Sequence, residues 1–150
     1  MRELEQASKF VHDRGGGMKA VKYTIYHEPV AQGRPRFVKG RAYDPPKSKA
    51  YKELVALTSR RYFPEPLKGA LKVQVVFSIS MPKSWSKSKK LDNDREPHSS
   101  RPDIDNLCKA ILDGLNGVAF EDDGQVVCLQ AWKFWSSEPK IEIEVWTDDD

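Results

Sequence analysis

The sequence predicts an α/β domain of the α+β kind, in two layers: helices packed on a mixed β-sheet, in the order strand, helix, strand, helix, strand, strand. Three observations predict it. Between residues 71 and 79, Leu71, Val73, Val75, Phe77 and Ile79 alternate with their neighbours, the period of a strand with one buried face. Two other segments repeat apolar residues every three or four positions: Tyr51, Leu54, Val55, Thr58 and Tyr62 in one, Ile104, Leu107, Ile111 and Leu115 in the next. Near the C-terminus, Ile141, Ile143 and Val145 alternate against Glu142 and Glu144.

Residues 1–17 read as a flexible, polar N-terminal extension ending in Gly15-Gly16-Gly17, so the compact domain is expected over residues 18–147. Residues 21–26, with Tyr23, Ile25 and Tyr26, predict the first strand. A loop follows in which Gly33 and Pro35 flank Arg34 and Arg36. Guanidinium forks match phosphate oxygens, although a plain surface loop fits these residues too. Pro45 and Pro46 open a helix reaching Tyr62, with Lys49, Lys52, Arg60 and Arg61 outside; Pro64 and Pro66 stop it.

Past the strand at 71–79, residues 82–101 lose any apolar rhythm. Lys83, Lys87, Lys89 and Lys90 surround Trp85 there, and Arg101 closes the tract. Such a loop can follow phosphates while its aromatic stacks on a base or ribose. Trp85 also fits an apolar anchor for the loop, and that reading is preferred. Pro102 suits the first turn of the next helix, and Gly117 its end. Residues 125–135 and 140–146 are expected to form a hairpin with one edge strand guarded by charge, before an acidic tail at 148–150.

A chain of 150 residues fits one domain and buries about two-thirds of its surface without staples. The net charge of +3 decides little, but its distribution is uneven. Residues 34–61 carry nine Lys/Arg against two acids, while residues 136–150 carry six acids against Lys140. That polarity suits a polyanionic partner on one face, or merely two solvated faces. Cys108 and Cys128 form no CxxC pair and fit free thiols in a reducing cytoplasm. His12, His27 and His98 are too scattered for a zinc site. No apolar run reaches signal-peptide or membrane-spanning length, so a cytoplasmic protein with no membrane partner is expected.

Asp103 and Asp105 stand near the start of one amphipathic helix, and Asp122 and Asp123 follow soon after its end. Two unit charges about 5 Å apart repel by roughly 3 kcal/mol at an effective dielectric near 20. Three such pairs approach roughly 10 kcal/mol, the scale of a whole domain's stability. Acids gathered this closely hold protons, recruit cations or spread into water. A hard cation such as Mg²⁺ takes a few carboxylates, water and a phosphate oxygen, the setting for metal-assisted phosphoryl chemistry. The other reading stays open: Asp103 and Asp105 favour a helix N-terminus, and Asp122-Asp123-Gly124 is a turn. Lys109, four residues after Asp105, shares its side of the helix. It suits charge on a phosphoryl transition state, or a surface pair with Asp105 or Asp113.

Arg101-Pro102-Asp103-Ile104-Asp105-Asn106-Leu107, Lys109-Ala110, Leu112-Asp113-Gly114-Leu115-Asn116-Gly117 and Asp122-Asp123-Gly124-Gln125-Val126 together resemble the RusA family of Holliday junction resolvases. Gly33-Arg34-Pro35-Arg36 and Pro82-Lys83-Ser84-Trp85-Ser86 match in order ahead of them. The resemblance implies a RusA-like fold and a homodimeric, Mg²⁺-dependent endodeoxyribonuclease, with Mn²⁺ as a substitute ion, that cuts four-way DNA junctions by paired nicks. It assigns the catalytic and metal-binding aspartates to Asp103, Asp105 and Asp123, the functional lysine to Lys109, and a neighbouring accessory acid to Asp122. Glu121 stands where relatives often carry a base. The basic residues Arg34, Arg36, Lys83, Lys87, Lys89, Lys90 and Arg101, with Trp85, are the expected DNA contacts.

The rival from another class is a branched-DNA-binding protein without catalysis, which shares the basic loops and differs only at the acids. A DxD glycosyltransferase would need a larger nucleotide-binding core. An EF-hand fails because Leu107 stands where an oxygen ligand is required. No GxxxxGK[ST] phosphate loop occurs.

Overall fold

The computed structural model describes residues 10–13, 19–34 and 36–147, with the backbone alone for residues 10–13 and 36. Along the described chain run β1 (Phe10–Asp13), β2 (Lys19–Ile25), β3 (Arg36–Val38), β4 (Arg41–Tyr43), α1 (Pro46–Ser59), β5 (Leu71–Ser80), α2 (Lys87–Asn93), α3 (Ile104–Leu115), β6 (Val126–Ser136) and β7 (Lys140–Thr147). Single 3-10 turns occupy Arg60–Tyr62 and Asp123–Gln125. Five strands form one mixed sheet in the order β1-β2-β7-β5-β6, antiparallel except for the parallel β5–β6 pair. β3 and β4 form a separate two-stranded ribbon. The expected α+β layering, helices on a mixed sheet, is what the chain adopts.

The alternation in β5 does what its period requires: Leu71, Val73, Val75, Phe77 and Ile79 are all buried. They meet Tyr23, Ile143 and Val145 on the sheet and Tyr51, Val55, Leu107, Ile111 and Leu115 on the helices in one core. α1 and α3 cross closely, and Gly114 is the reason they can. A Cβ built there stands 2.9 Å from Cβ and Cγ1 of Val55. Gly117, at φ +81°, turns the chain in the left-handed region just after α3, as its place in the sequence predicts. Tyr23 anchors the C-terminal end of α1. Its hydroxyl donates to Ser59 Oγ at 2.7 Å, and its ring stacks on Tyr62.

Several expectations need correction. Pro102 precedes the helix rather than opening it, because Asp103 is the N-cap and Ile104 the first helical residue. β6 and β7 do not pair with each other. β5 lies between them, Ser80 opposite Ser136 and Ser78 opposite Lys140, so residues 137–139 pass over the end of β5. The physical reason is that the long segment from β5 to β6, carrying α2 and α3, permits a parallel partner that no short turn could supply. β7 is therefore an inner strand, and Glu142 does not guard an edge: it is 4% exposed, with neither carboxylate oxygen hydrogen-bonded. Burial pushes its carboxyl up to about 7, against the opposing pull of Lys140, Arg95 and Lys22.

Residues 82–101, expected without regular structure, contain α2, whose N-cap Ser86 accepts a bond from Lys89 N at 3.1 Å. β1 pairs with β2 from within the stretch expected as an extension. The triglycine and the acidic tail lie outside the described residues.

Candidate active site

α3 positions the first acids. Asp103 caps the helix with its backbone, Leu107 N donating to Asp103 O at 3.1 Å, yet its side chain makes no capping hydrogen bond. Asp105 follows in the first turn and accepts from Asn106 N at 2.9 Å. One turn on, Lys109 lies 3.9 Å from Asp113, and Lys52 of α1 approaches the same carboxylate at 3.7 Å. Lys52 also pairs with Asp44, and that hydrogen bond, helped by Gln32, holds the Asp44 carboxyl below the usual carboxylate range. A line of alternating charge thus joins the end of β4 to the exposed face of α3.

The second acids sit on the turn entering β6. Asp122 uses its carboxylate locally, accepting from Gly124 N at 2.9 Å. Gln125 closes the turn from the other side, its Oε1 accepting from Glu121 N at 3.0 Å and Asp122 N at 3.2 Å. Its Nε2 donates to Leu67 O and Gly69 O, both at 3.0 Å, which ties the turn to the segment before β5. Asp123 is left facing outward.

An open cleft of about 450 Å³ runs between α3 and β6. Asp105, Cys108, Lys109 and Asp113 line one side; Asp123, Leu129 and Ala131 line the other. It exists because β6 is an edge strand that α3 covers incompletely, leaving Leu129 41% exposed. Burial, with the charge of Asp105 added, pushes the Cys108 thiol up to about 11, so it remains protonated. Asp105, Lys109 and Asp123, separated in sequence, share this cleft. Asp103 is exposed beside it and is not among its walls.

Among the described residues, no group of three or more His, Cys, Asp and Glu side chains stands ready to hold a metal alone. The donor set nevertheless fits Mg²⁺, which is held by one or two carboxylates and completed by water and substrate phosphate rather than by a closed protein cage.

The family model described as Endodeoxyribonuclease RusA matches residues 27–146, a span that contains both acid-bearing segments and the whole cleft. The chain belongs to the RusA family. A Bacillus subtilis (strain 168) relative described as uncharacterized protein YqaN is 41% identical over 137 residues, 85% of this chain and 96% of its own. A crossover junction endodeoxyribonuclease rusA of Lactococcus phage r1t is 36% identical over 81 residues, 53% of each chain.

The residues expected to touch DNA fall in two places on this RusA-family chain. Arg34 is exposed on a loop fixed by Gln32 N to Asn106 O at 2.9 Å and Gly33 N to Ser48 Oγ at 3.0 Å, which sets it beside the start of α3. Arg36 begins β3, and Arg101 is exposed just ahead of α3. Lys83, Lys87, Lys89 and Lys90 gather instead around α2, near the ends of β5 and β6. From Ala131 to Ser136 is roughly 16 Å of extended strand, so this group stands apart from the cleft. Trp85 is half-buried, 4.8 Å from Trp135, with Lys89 Nζ 4.4 Å above its ring: the anchor reading describes it.

Two positioning residues escaped the sequence reading. Lys133 donates to Ser100 O at 2.5 Å and Pro102 O at 2.8 Å, holding the backbone that leads into Asp103. The available signal was a lysine on the inward-facing register of β6, in line with Leu129 and Ala131. Gln125, read as the first strand residue, carried its signal in the spacing Asp122-x-x-Gln125, that of a capping box.

No described helix is long and apolar enough to cross a membrane.

Proposed function

We propose that this RusA-family chain is a structure-selective, Mg²⁺-dependent endodeoxyribonuclease that resolves four-way DNA junctions by paired nicks in recombination and repair. The observation that carries this reading is the single cleft onto which Asp105, Lys109 and Asp123 all face. Asp105 and Asp123 hold the ion, Asp103 adds a third carboxylate from the helix start, and Mn²⁺ can replace Mg²⁺. An ion held by these residues would supply neutralising charge to phosphoryl oxygens and lower the pKa of an attacking water. Lys109, exposed and held to one side by Asp113, donates to the 3′ oxygen as charge develops there. Products carry 5′-phosphate and 3′-hydroxyl ends.

A homodimer supplies two such sites, and a two-fold axis matches two symmetric nicks. Exposed Val127 and Trp132 on the edge strand β6 support a surface for the second copy. The test is a labelled synthetic four-way junction on a denaturing gel, with and without Mg²⁺, beside matched linear duplex. Paired, Mg²⁺-dependent nicks confined to the junction are expected. Binding without nicking at any Mg²⁺ concentration would establish the non-catalytic branched-DNA binder instead.

A further inference from the structure

The β3–β4 ribbon belongs neither to the main sheet nor to the cleft, and its composition is unusual for a connection. Strands of three residues each are joined by Lys39-Gly40, both at positive φ, +52° and +76°. Two such residues make the type I′ turn, the tightest hairpin connection and one that matches the strands' natural twist. Lys39 accepts an uncommon conformation for a residue with a Cβ, which stiff, functional turns often do. The ribbon has no core of its own. Phe37 is 74% exposed, Val38 52% and Tyr43 43%, all within one short stretch. Isolated apolar residues on a surface need no explanation, but three within one short ribbon, Phe37 on one face and Val38 and Tyr43 on the other, call for one.

Register sorts the two faces. Phe37 lies opposite Ala42, so an aromatic ring stands over a small neighbour and is left 74% exposed. Val38 pairs with Arg41, and Lys39 and exposed Arg34 bracket the ribbon. Its base is fixed at both ends. Residues 32 and 33 bond to Asn106 and Ser48, and Asp44 bonds to Lys52, which in turn approaches Asp113 in the cleft wall. The ribbon is therefore a finger whose base is tied beside the cleft, basic at its tip and stem, with Phe37 on one face and Val38, Arg41 and Tyr43 on the other.

We propose that this finger inserts Phe37 against an unstacked base at the branch point of DNA, while Lys39 and Arg41 grip the flanking phosphates. Charge complementarity selects a polyanion, and a flat exposed ring on one face of a ribbon that carries Lys39 at its tip and Arg41 on its other face selects one whose bases are out of the duplex stack, since every base has a face on which an aromatic can lie. An intact duplex offers Phe37 no such face. The finger thereby gives the cleft its preference for branched over linear DNA. This rests on the junction-resolving reading above.

The test uses the full chain and a four-way junction carrying 2-aminopurine at the branch, in Ca²⁺ so that binding is read without cleavage. Wild-type protein is expected to change the 2-aminopurine emission, and Phe37→Ala to abolish that change. The same variant is expected to lower the ratio of junction to duplex affinity by about ten- to a hundredfold, the scale of one aromatic–base stack. Phe37→Trp restores both, and Arg41→Ala lowers the salt dependence of binding by about one phosphate contact. Matched thermal midpoints show that these variants fold. If wild type binds and cuts the junction while Phe37→Ala keeps the emission change and the affinity ratio, the finger is refuted and the nuclease reading stands. If wild type neither binds nor cuts the junction, both fall.

Discussion

Gln125 holds the turn that carries Asp123 through four hydrogen bonds, two on each end of its amide. A typical intramolecular hydrogen bond contributes about 0.5–1.5 kcal/mol net. Gln125 is half-buried, so the low end applies, and about 2–3 kcal/mol is at stake. Gln125→Leu keeps the bulk and removes all four bonds. Because they fix the turn carrying Asp123 to the segment before β5, the loss falls first on that turn. Holding Asp123 ready for a cation then draws on the binding free energy, and each 1.4 kcal/mol weakens affinity about tenfold. Half-saturating Mg²⁺ for junction cleavage should rise by at least about tenfold, while the rate at saturating Mg²⁺ falls much less. Gln125→Glu retains the acceptor for Glu121 N and Asp122 N but sets a carboxylate against two carbonyl oxygens, so it isolates the tie to residues 67–69. Mg²⁺ titrations of cleavage, with urea unfolding of the same variants, measure the two effects separately. A lowered urea midpoint with an unchanged Mg²⁺ requirement would refute the positioning role and leave Gln125 an ordinary turn residue.

Asp105→Asn and Asp123→Asn should each slow cleavage by more than about a hundredfold, the scale on which a single electrostatic contact acts in an active site. Junction binding, read by gel shift, should hold or tighten, since each removes a negative charge from the DNA face; full cleavage by either would refute the ligand assignment. Lys133→Met keeps the aliphatic stem and removes both bonds to the backbone ahead of Asp103. It should speed amide exchange over residues 100–106 and raise the Mg²⁺ requirement, and unchanged exchange there would count against it. Glu142 sets a pH dependence of stability. Its folded carboxyl sits near 7 against an ordinary 4.5. Below about pH 4.5 both states hold the proton, between 4.5 and 7 only the unfolded state releases it, and stability therefore falls as pH rises through that window by roughly 3 kcal/mol in all. Glu142→Gln should flatten this slope in urea unfolding between pH 5 and pH 8; an unaltered slope would show that Glu142 is not its source.

What the sequence made legible, and what it hid, divides along a physical line. β5 and α3 were readable because each buries one full face, so its period is written into the residue types: five alternate positions in β5, and Leu107, Ile111 and Leu115 in α3. The side of α3 shared by Asp105 and Lys109 followed from the same geometry. Partner choice did not. β6 and β7 each look like half of a hairpin, and nothing local in either states that β5 lies between them. Elements that bury little leave no rhythm at all. α2 has no buried residue, and β4 is exposed throughout. The only local trace of α2 was a serine N-cap, and of the ribbon a glycine after Lys39. Gln125 and Lys133 were hidden for another reason: their partners are backbone carbonyls distant in sequence, and residue type does not report those.

The rival account of the acids, helix start plus turn, can be weighed one carboxylate at a time. Asp122 satisfies it fully, because its oxygen caps the turn at Gly124 N. Asp103 does not, since it occupies the N-cap yet its side chain makes no capping bond. A turn that already has its cap gains nothing from a second aspartate at 123, and that residue instead faces a cleft already walled by Asp105 and Asp113. Of the three carboxylates on the cleft, Asp113 pairs with Lys52 and Lys109 and Asp105 accepts from Asn106 N, so it is Asp123 that local structure does not account for. A turn braced by Gln125 to present such a carboxylate suits a ligand that brings positive charge with it. The same cleft lies at a sheet edge, where DNA too wide to enter a closed pocket can still present a phosphate.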